Sequence, residues 1–178
     1  MTSDQSLDQS AWRRRARALL VKSIEQHLGS SALVRANQAL YWDPTDPKGY
    51  LVPDVALRRN TPSDRSLVWN TWARGAPHVA VELVSNEDQP ELPLEEQLRR
   101  YQRAGVAEVV RFDRDDPNTP IRLWDFLDGD LVERDPVSLD ARFCDALELY
   151  WCVQNHPELG AVLGLAQSES GEPVEPAL

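Results

Sequence analysis

The sequence predicts an α/β domain with a mixed central β-sheet flanked by helices. Three observations predict it: apolar residues recur at three- and four-residue steps over 12–28 and again over 94–104, an almost unbroken apolar run fills 79–84, and a turn-rich segment divides two extended runs between 32 and 59. The order of helix, strands, helix and strands, with no internal repeat, is that of a crossover helix combined with hairpins. At 178 residues and 42% hydrophobic content, the chain has the size of one domain that can bury a core without disulfides or a structural metal.

From Trp12 to Leu28 the positions Ala16, Leu19, Leu20, Ile24 and Leu28 share one side of a helix, and Gly29 stops it. Arg13, Arg14, Arg15 and Arg17 open this helix, and such a group either touches phosphate or forms a solvated face. Ala32 to Trp42 and Tyr50 to Arg59 predict two strands joined by the turn segment Asp43-Pro44-Thr45-Asp46-Pro47-Lys48-Gly49. Residues 60–76 predict an irregular segment in which Trp69 and Trp72 stand near Arg65 and Arg74; it faces nucleic acid or folds over the sheet. The run 79–84 predicts a buried strand interrupted by one charge, Glu82. Pro93 sits where a first helical turn tolerates it, Leu94, Leu98, Tyr101 and Ala104 continue at helical steps, and Gly105 ends that helix. Val106 to Arg111 and Ile121 to Phe126 predict further strands, and Asp128-Gly129 turns the chain back into Leu131 and Val132. A last helix is expected over about Asp140 to Gln154, carrying Cys144 and Cys152 as reduced, buried thiols. The folded domain is therefore expected over 11–160, between a disordered N-terminus (1–10) and a flexible acidic tail (161–178).

The formal charge is −10, which argues against strong non-specific binding of nucleic acid, since that affinity comes from Lys and Arg replacing counterions on phosphates. Any such contact must be local. No segment approaches the roughly 20 apolar residues of a membrane span, and the N-terminus is polar rather than signal-like, so a cytoplasmic protein is expected. His27, His78 and His156 form no local ligand spacing, and Cys144 and Cys152 match neither a zinc knuckle nor a redox pair. A metal site in this chain would have to be built from carboxylates.

Two carboxylates demand an explanation, because an ionised acid in a buried strand costs several kcal/mol unless it is paired, hydrogen-bonded or metal-bound. Glu82 is one. Asp54 is the other, set among Val52, Pro53, Val55, Ala56 and Leu57 where the proline permits only an edge strand or a strand start. On neighbouring strands the two would converge on a divalent cation with oxygen ligands, in the manner of Mg²⁺. The alternative is an ion pair of Glu82 with Arg58 or an arginine of the 99–103 segment, with Asp54 capping a turn.

Three segments in register carry a resemblance: Val52-Pro53-Asp54-Val55-Ala56-Leu57, then Ala76-Pro77-His78-Val79-Ala80-Val81-Glu82-Leu83-Val84-Ser85, then Leu98-Arg99-Arg100-Tyr101-Gln102-Arg103-Ala104-Gly105-Val106-Ala107-Glu108. They resemble the Uma-two putative restriction endonuclease family (domain of unknown function 820), whose pattern is a Pro-Asp strand, a Pro-Asp-x-x-x-Glu-Val-x-Ser strand and a helix ending Lys-Leu-x-x-Tyr-x-x-x-Gly-Val-x-Glu. The likeness spans about residues 15–150. It implies a restriction-endonuclease-like, PD-(D/E)xK fold with a Mg²⁺ site on the sheet, where Mn²⁺ can substitute. Asp54 and Glu82 are then the metal-binding carboxylates, the Leu83 carbonyl completes the coordination, and DNA phosphodiesters are hydrolysed by metal-activated water.

Two positions depart from the pattern. The family's helix lysine is here Gln97, which donates hydrogen bonds but carries no charge, and the Pro-Asp ahead of the second strand is Pro77-His78. Arg100 shares a helical face with Gln97 and is placed to reach the site, while His78 reads as a strand-start residue at the solvent boundary. Two functional readings follow. In the first the chain is a Mg²⁺-dependent DNA endonuclease with Asp54, Glu82 and Gln97 at the catalytic centre and Arg99, Arg100 and Arg103 touching DNA. In the second it is a catalytically degenerate nuclease-fold protein acting as a binding or assembly module, with a homodimer as one form.

Overall fold

The computed structural model describes residues 9–62, 65–89, 92–138, 140–171 and 173–174, so the expected disorder of residues 1–8 and of 175–178 lies outside the described residues. The first helix, α1 (Ala11–Leu28), is capped by Ser10, whose hydroxyl oxygen accepts the Arg13 N–H, and it buries Trp12, Ala16, Leu20 and Ile24. Five short strands follow: β1 (Ala32–Ala36), β2 (Leu40–Tyr41), β3 (Tyr50–Leu51), β4 (Val55–Arg59) and β5 (Trp69–Asn70). A single-turn helix α2 (Thr71–Arg74), the strand β6 (Val79–Val84) and the helix α3 (Leu94–Ala104) come next. The chain continues through β7 (Glu108–Asp113), β8 (Ile121–Leu127), β9 (Asp130–Glu133), β10 (Phe143–Cys144), β11 (Leu149–His156) and β12 (Gly160–Ala166).

The central sheet has the order β1-β4-β6-β7-β8-β9, with β6 and β7 parallel across the α3 crossover and the other neighbours antiparallel. This is the expected mixed sheet. Residues on one of its faces, Val34, Val55, Leu57, Val79, Val81, Leu83, Val110 and Phe112, share a core with α1 and with β11 and β12. The alternate residues Leu33, Ala56, Ala80 and Val109 pack against Tyr101 and Ala104 of α3 and against the small β3-β2-β5 sheet.

Two expected strands are each divided. The run from Ala32 breaks at Asn37, which has φ 51°, and continues as β2 in the small sheet rather than the central one. The run from Tyr50 breaks at Pro53-Asp54, where proline has no N–H to give to a ladder, and β4 begins one residue later. Asp54 therefore stands where the chain passes from the small sheet into the central one, and its carbonyl accepts the N–H of Asn37.

The expected helix over 140–154 is absent. Those residues form the β10–β11 hairpin, turned at Glu148 with φ 55°, because Leu149 and Trp151 face the core while Tyr150 and Cys152 do not, a period of two that a helix cannot satisfy. Cys144 and Cys152 are free thiols on strands, the first buried and the second half-buried. β12 carries the ordered chain beyond the expected boundary at 160: Val162, Leu163, Leu165 and Ala166 are buried in the α1-side core.

Candidate active site

β4 and β6 are antiparallel neighbours with Val55 opposite Val81, and one further step of that register brings Asp54 level with Glu82. Asp54 is almost fully buried. Its Oδ1 accepts from Arg13 Nε at 3.0 Å and from Arg17 Nη1 at 2.9 Å, and its Oδ2 accepts from Arg13 Nη2 at 2.9 Å and from the Leu83 N–H at 2.7 Å. Glu82 Oε1 accepts the hydroxyl of Tyr101, and Glu82 Oε2 lies 3.6 Å from Arg13 Nη2. One guanidinium nitrogen thus stands between both acids.

Both acids pair with an arginine, as the ion-pair reading holds, and that arginine, Arg13, comes from α1, as does Arg17 beside Asp54. The solvated-face reading fails for Arg13 and Arg17, whose side chains are 14% and 12% exposed; Arg15 is exposed and pairs with Glu158. Spacing offered a signal for this: Arg13 and Arg17 adjoin Trp12 and Ala16 on the buried side of the helix. Burial opposes the Arg13 charge, but Asp54 and Glu82 outweigh it and hold its pKa above the ordinary arginine value. Burial, reinforced by the Glu82 charge, pushes the Tyr101 pKa well above its ordinary value, so the phenol stays a donor. Tyr101 carried only a core role in the sequence, because helical periodicity does not show where a hydroxyl points.

A cleft of about 770 Å³ opens over the C-terminal end of β6 and the first turn of α3, with Arg13, Glu82, Leu83, Gln97, Arg100 and Arg111 on its walls. Asp54 lies behind Arg13. Gln97 lines the same cleft as Glu82. Arg100 reaches the cleft too, held by Glu96 Oε1 and the Tyr50 carbonyl, each at 3.0 Å. Arg99 and Arg103 are exposed on α3 outside the cleft wall. Trp69 is buried, with its indole N–H on the Gly75 carbonyl, whereas Trp72 is half exposed.

His78 stands immediately before β6, at the end of the strand remote from Val84. Its Nδ1 accepts the Arg59 N–H at 3.1 Å; burial, with the Arg58 and Arg59 charges, lowers its pKa. Near it, Glu108 is a further buried acid, accepting from Trp151 Nε1 and Arg134 Nη2 at 2.8 Å each, and burial raises its pKa against those partners. No group of three or more His, Cys, Asp or Glu side chains forms a metal cluster among the described residues. As a donor set, two carboxylates fit Mg²⁺, which commonly takes one or two protein carboxylates and keeps waters for the rest.

The architecture of this chain is a mixed sheet with a parallel pair bridged by a helix and helices on both faces. A solved structure described as a putative nuclease of the DUF820 group from Anabaena variabilis has this fold, with a TM-score of 0.57, 13% identity, and coverage of 80% of this chain and 78% of that one. The family model described as "Putative restriction endonuclease" (Uma2) matches residues 9–121, and the chain belongs to this family. The curated proteins contain no match to it. The matched span holds Arg13, Arg17, Asp54, Glu82, Gln97 and Tyr101. No helix among the described residues is long and apolar enough to cross a membrane.

Proposed function

We propose that the chain is a DNA endonuclease that hydrolyses phosphodiester bonds with Mg²⁺ held by Asp54 and Glu82. The observation that carries this reading is the meeting of both carboxylates on one cationic nitrogen beside an open cleft. Held there, Mg²⁺ would offset charge on a phosphoryl oxygen and acidify water.

The chain's own groups supply the rest. Tyr101 orients the Glu82 carboxylate through its hydroxyl, and the Leu83 N–H fixes that of Asp54. Gln97 can donate its amide N–H to a phosphate oxygen, and Lys48, Arg100 and Arg111 on the walls attract the DNA backbone despite the negative total charge. Without the helix lysine, charge stabilisation at the scissile phosphate is weaker, so Gln97→Lys is expected to raise turnover by about tenfold or more.

The second reading, a degenerate nuclease-fold binding module, is favoured by the same arginines: Arg13 and Arg17 already balance Asp54 and Glu82. The deciding experiment is a cleavage time course on plasmid and single-stranded DNA with Mg²⁺ or Mn²⁺, run beside identically purified Glu82→Ala. Cleavage by the unaltered chain that disappears in Glu82→Ala establishes the nuclease. Absence of cleavage by both at high protein concentration, with retained DNA binding, establishes the module.

A further inference from the structure

Arg13 is placed unlike an ordinary structural arginine. Its guanidinium touches both candidate metal ligands, at 2.9 Å to Asp54 Oδ2 and 3.6 Å to Glu82 Oε2, and it also forms part of the cleft wall. The Asp54 side chain has no exposed surface, so a cation arriving from the cleft meets Arg13 before it meets Asp54. Arg17 holds Asp54 from Oδ1 and is 12% exposed. The two arginines and two acids sum to zero charge. A dication added with Arg13 in place would be repelled at contact distance in a poorly screened site.

We propose that the Arg13 guanidinium is the resident cation of the Asp54–Glu82 pair, and that a divalent cation enters only by displacing it. This rests on the metal-site reading above and adds its control: occupancy is set by competition with an arginine of the chain itself. Two features of the cleft make the exchange feasible. Asp88, which anchors Ser10 at the start of α1 through Oδ1 and Oδ2, also lines the cleft and is near enough to act on the Arg13 charge, so it offers the released guanidinium a second anion. The released group would also stay in the cleft, where its planar fork suits a phosphate of bound DNA. Arg17 would keep one oxygen of Asp54 in place throughout.

The test measures metal binding without substrate. Mn²⁺ affinity is read by electron paramagnetic resonance for the full chain, Arg13→Gln, Arg17→Gln and Asp54→Ala. Arg13→Gln is expected to bind Mn²⁺ at least tenfold more tightly than the unaltered chain, with a smaller gain in Arg17→Gln and loss of binding in Asp54→Ala. In the unaltered chain, saturating Mg²⁺ should release the Arg13 side-chain N–H from Asp54, seen by NMR as faster exchange of its Nε proton; this reading holds even if Arg13→Gln folds poorly. Equal affinity in the unaltered chain and Arg13→Gln, with an unmoved Arg13 signal under Mg²⁺, overturns the exchange while leaving a metal site. No Mn²⁺ binding by either protein overturns the metal reading and the exchange with it.

Discussion

At the scale of single residues, the candidate site is an electrostatic arrangement of two acids and two arginines. Asp54 is shared by two guanidinium groups and a backbone N–H, so Asp54→Ala takes from the part-buried Arg13 and Arg17 the carboxylate they share and leaves Glu82 to Arg13. A loss of about 3–5 kcal/mol is expected, read from the urea midpoint at unchanged m-value. His78 gives a pH dependence. Its pKa is lowered in the folded chain, so below about 6.5 the unfolded chain takes up a proton that the folded chain refuses, and stability falls as pH falls through that range. The structural cause is burial of the imidazole, reinforced by the Arg58 and Arg59 charges beside it. His78→Phe should flatten this part of the stability profile; an unchanged slope would place its origin elsewhere. The acids at 54 and 82 were visible in the sequence because charge in an apolar strand is anomalous. The pairing itself was not, because Arg13 and Arg17 lie about forty residues from Asp54, and Arg13 lies about seventy from Glu82, so only the packing of α1 on the sheet brings them in.

At the scale of elements, α3 and β6 carry Gln97, Tyr101 and Glu82, and both were legible locally. Leu94, Leu98, Tyr101 and Ala104 repeat at helical steps, and Gly105 ends α3 in the left-handed region with φ 72° and ψ 27°. A Cβ there would meet only the Ala76 methyl at 3.6 Å, so the cost of Gly105→Ala is conformational rather than steric. It should destabilise the chain by about 1–2 kcal/mol, measured as a lowered melting temperature. The β10–β11 hairpin stands where the sequence predicts a helix over 140–154. Tyr150, Trp151 and Val153 favour a strand once β12 supplies a ladder, and burial of Trp151 in the α1-side core decides the matter.

At the scale of the whole molecule, α1 is the tie between the central sheet and the C-terminal sheet. Trp12 packs in the shared core with Phe112 and Trp151, and its indole N–H donates to the Ala161 carbonyl. The same helix presents Arg13 and Arg17 to Asp54, so the C-terminal strands support the site through α1 without touching it. A chain ending at Leu159 would lose β12, with Val162, Leu163 and Leu165 from the core. Each such buried side chain contributes about 1.5–3 kcal/mol, and domains are stable by about 5–15 kcal/mol in all. That truncation should abolish cooperative unfolding by circular dichroism; a retained sharp transition would make β12 dispensable.

The sequence by itself determined α1, α3, the β6 strand, the β8–β9 turn, the two buried acids and the family resemblance that the family match bears out. These are encoded in periodicities of 3.6 and 2, in caps, and in charges that violate an apolar pattern, all of which act over a few neighbouring residues. Tertiary structure alone decided that Ala32 to Trp42 and Tyr50 to Arg59 each divide between two sheets, that 143–156 pairs as strands, and that a guanidinium from the first helix stands between Asp54 and Glu82. Each depends on which distant segment offers a hydrogen-bond ladder or a counter-charge, and that is settled only when the whole chain packs.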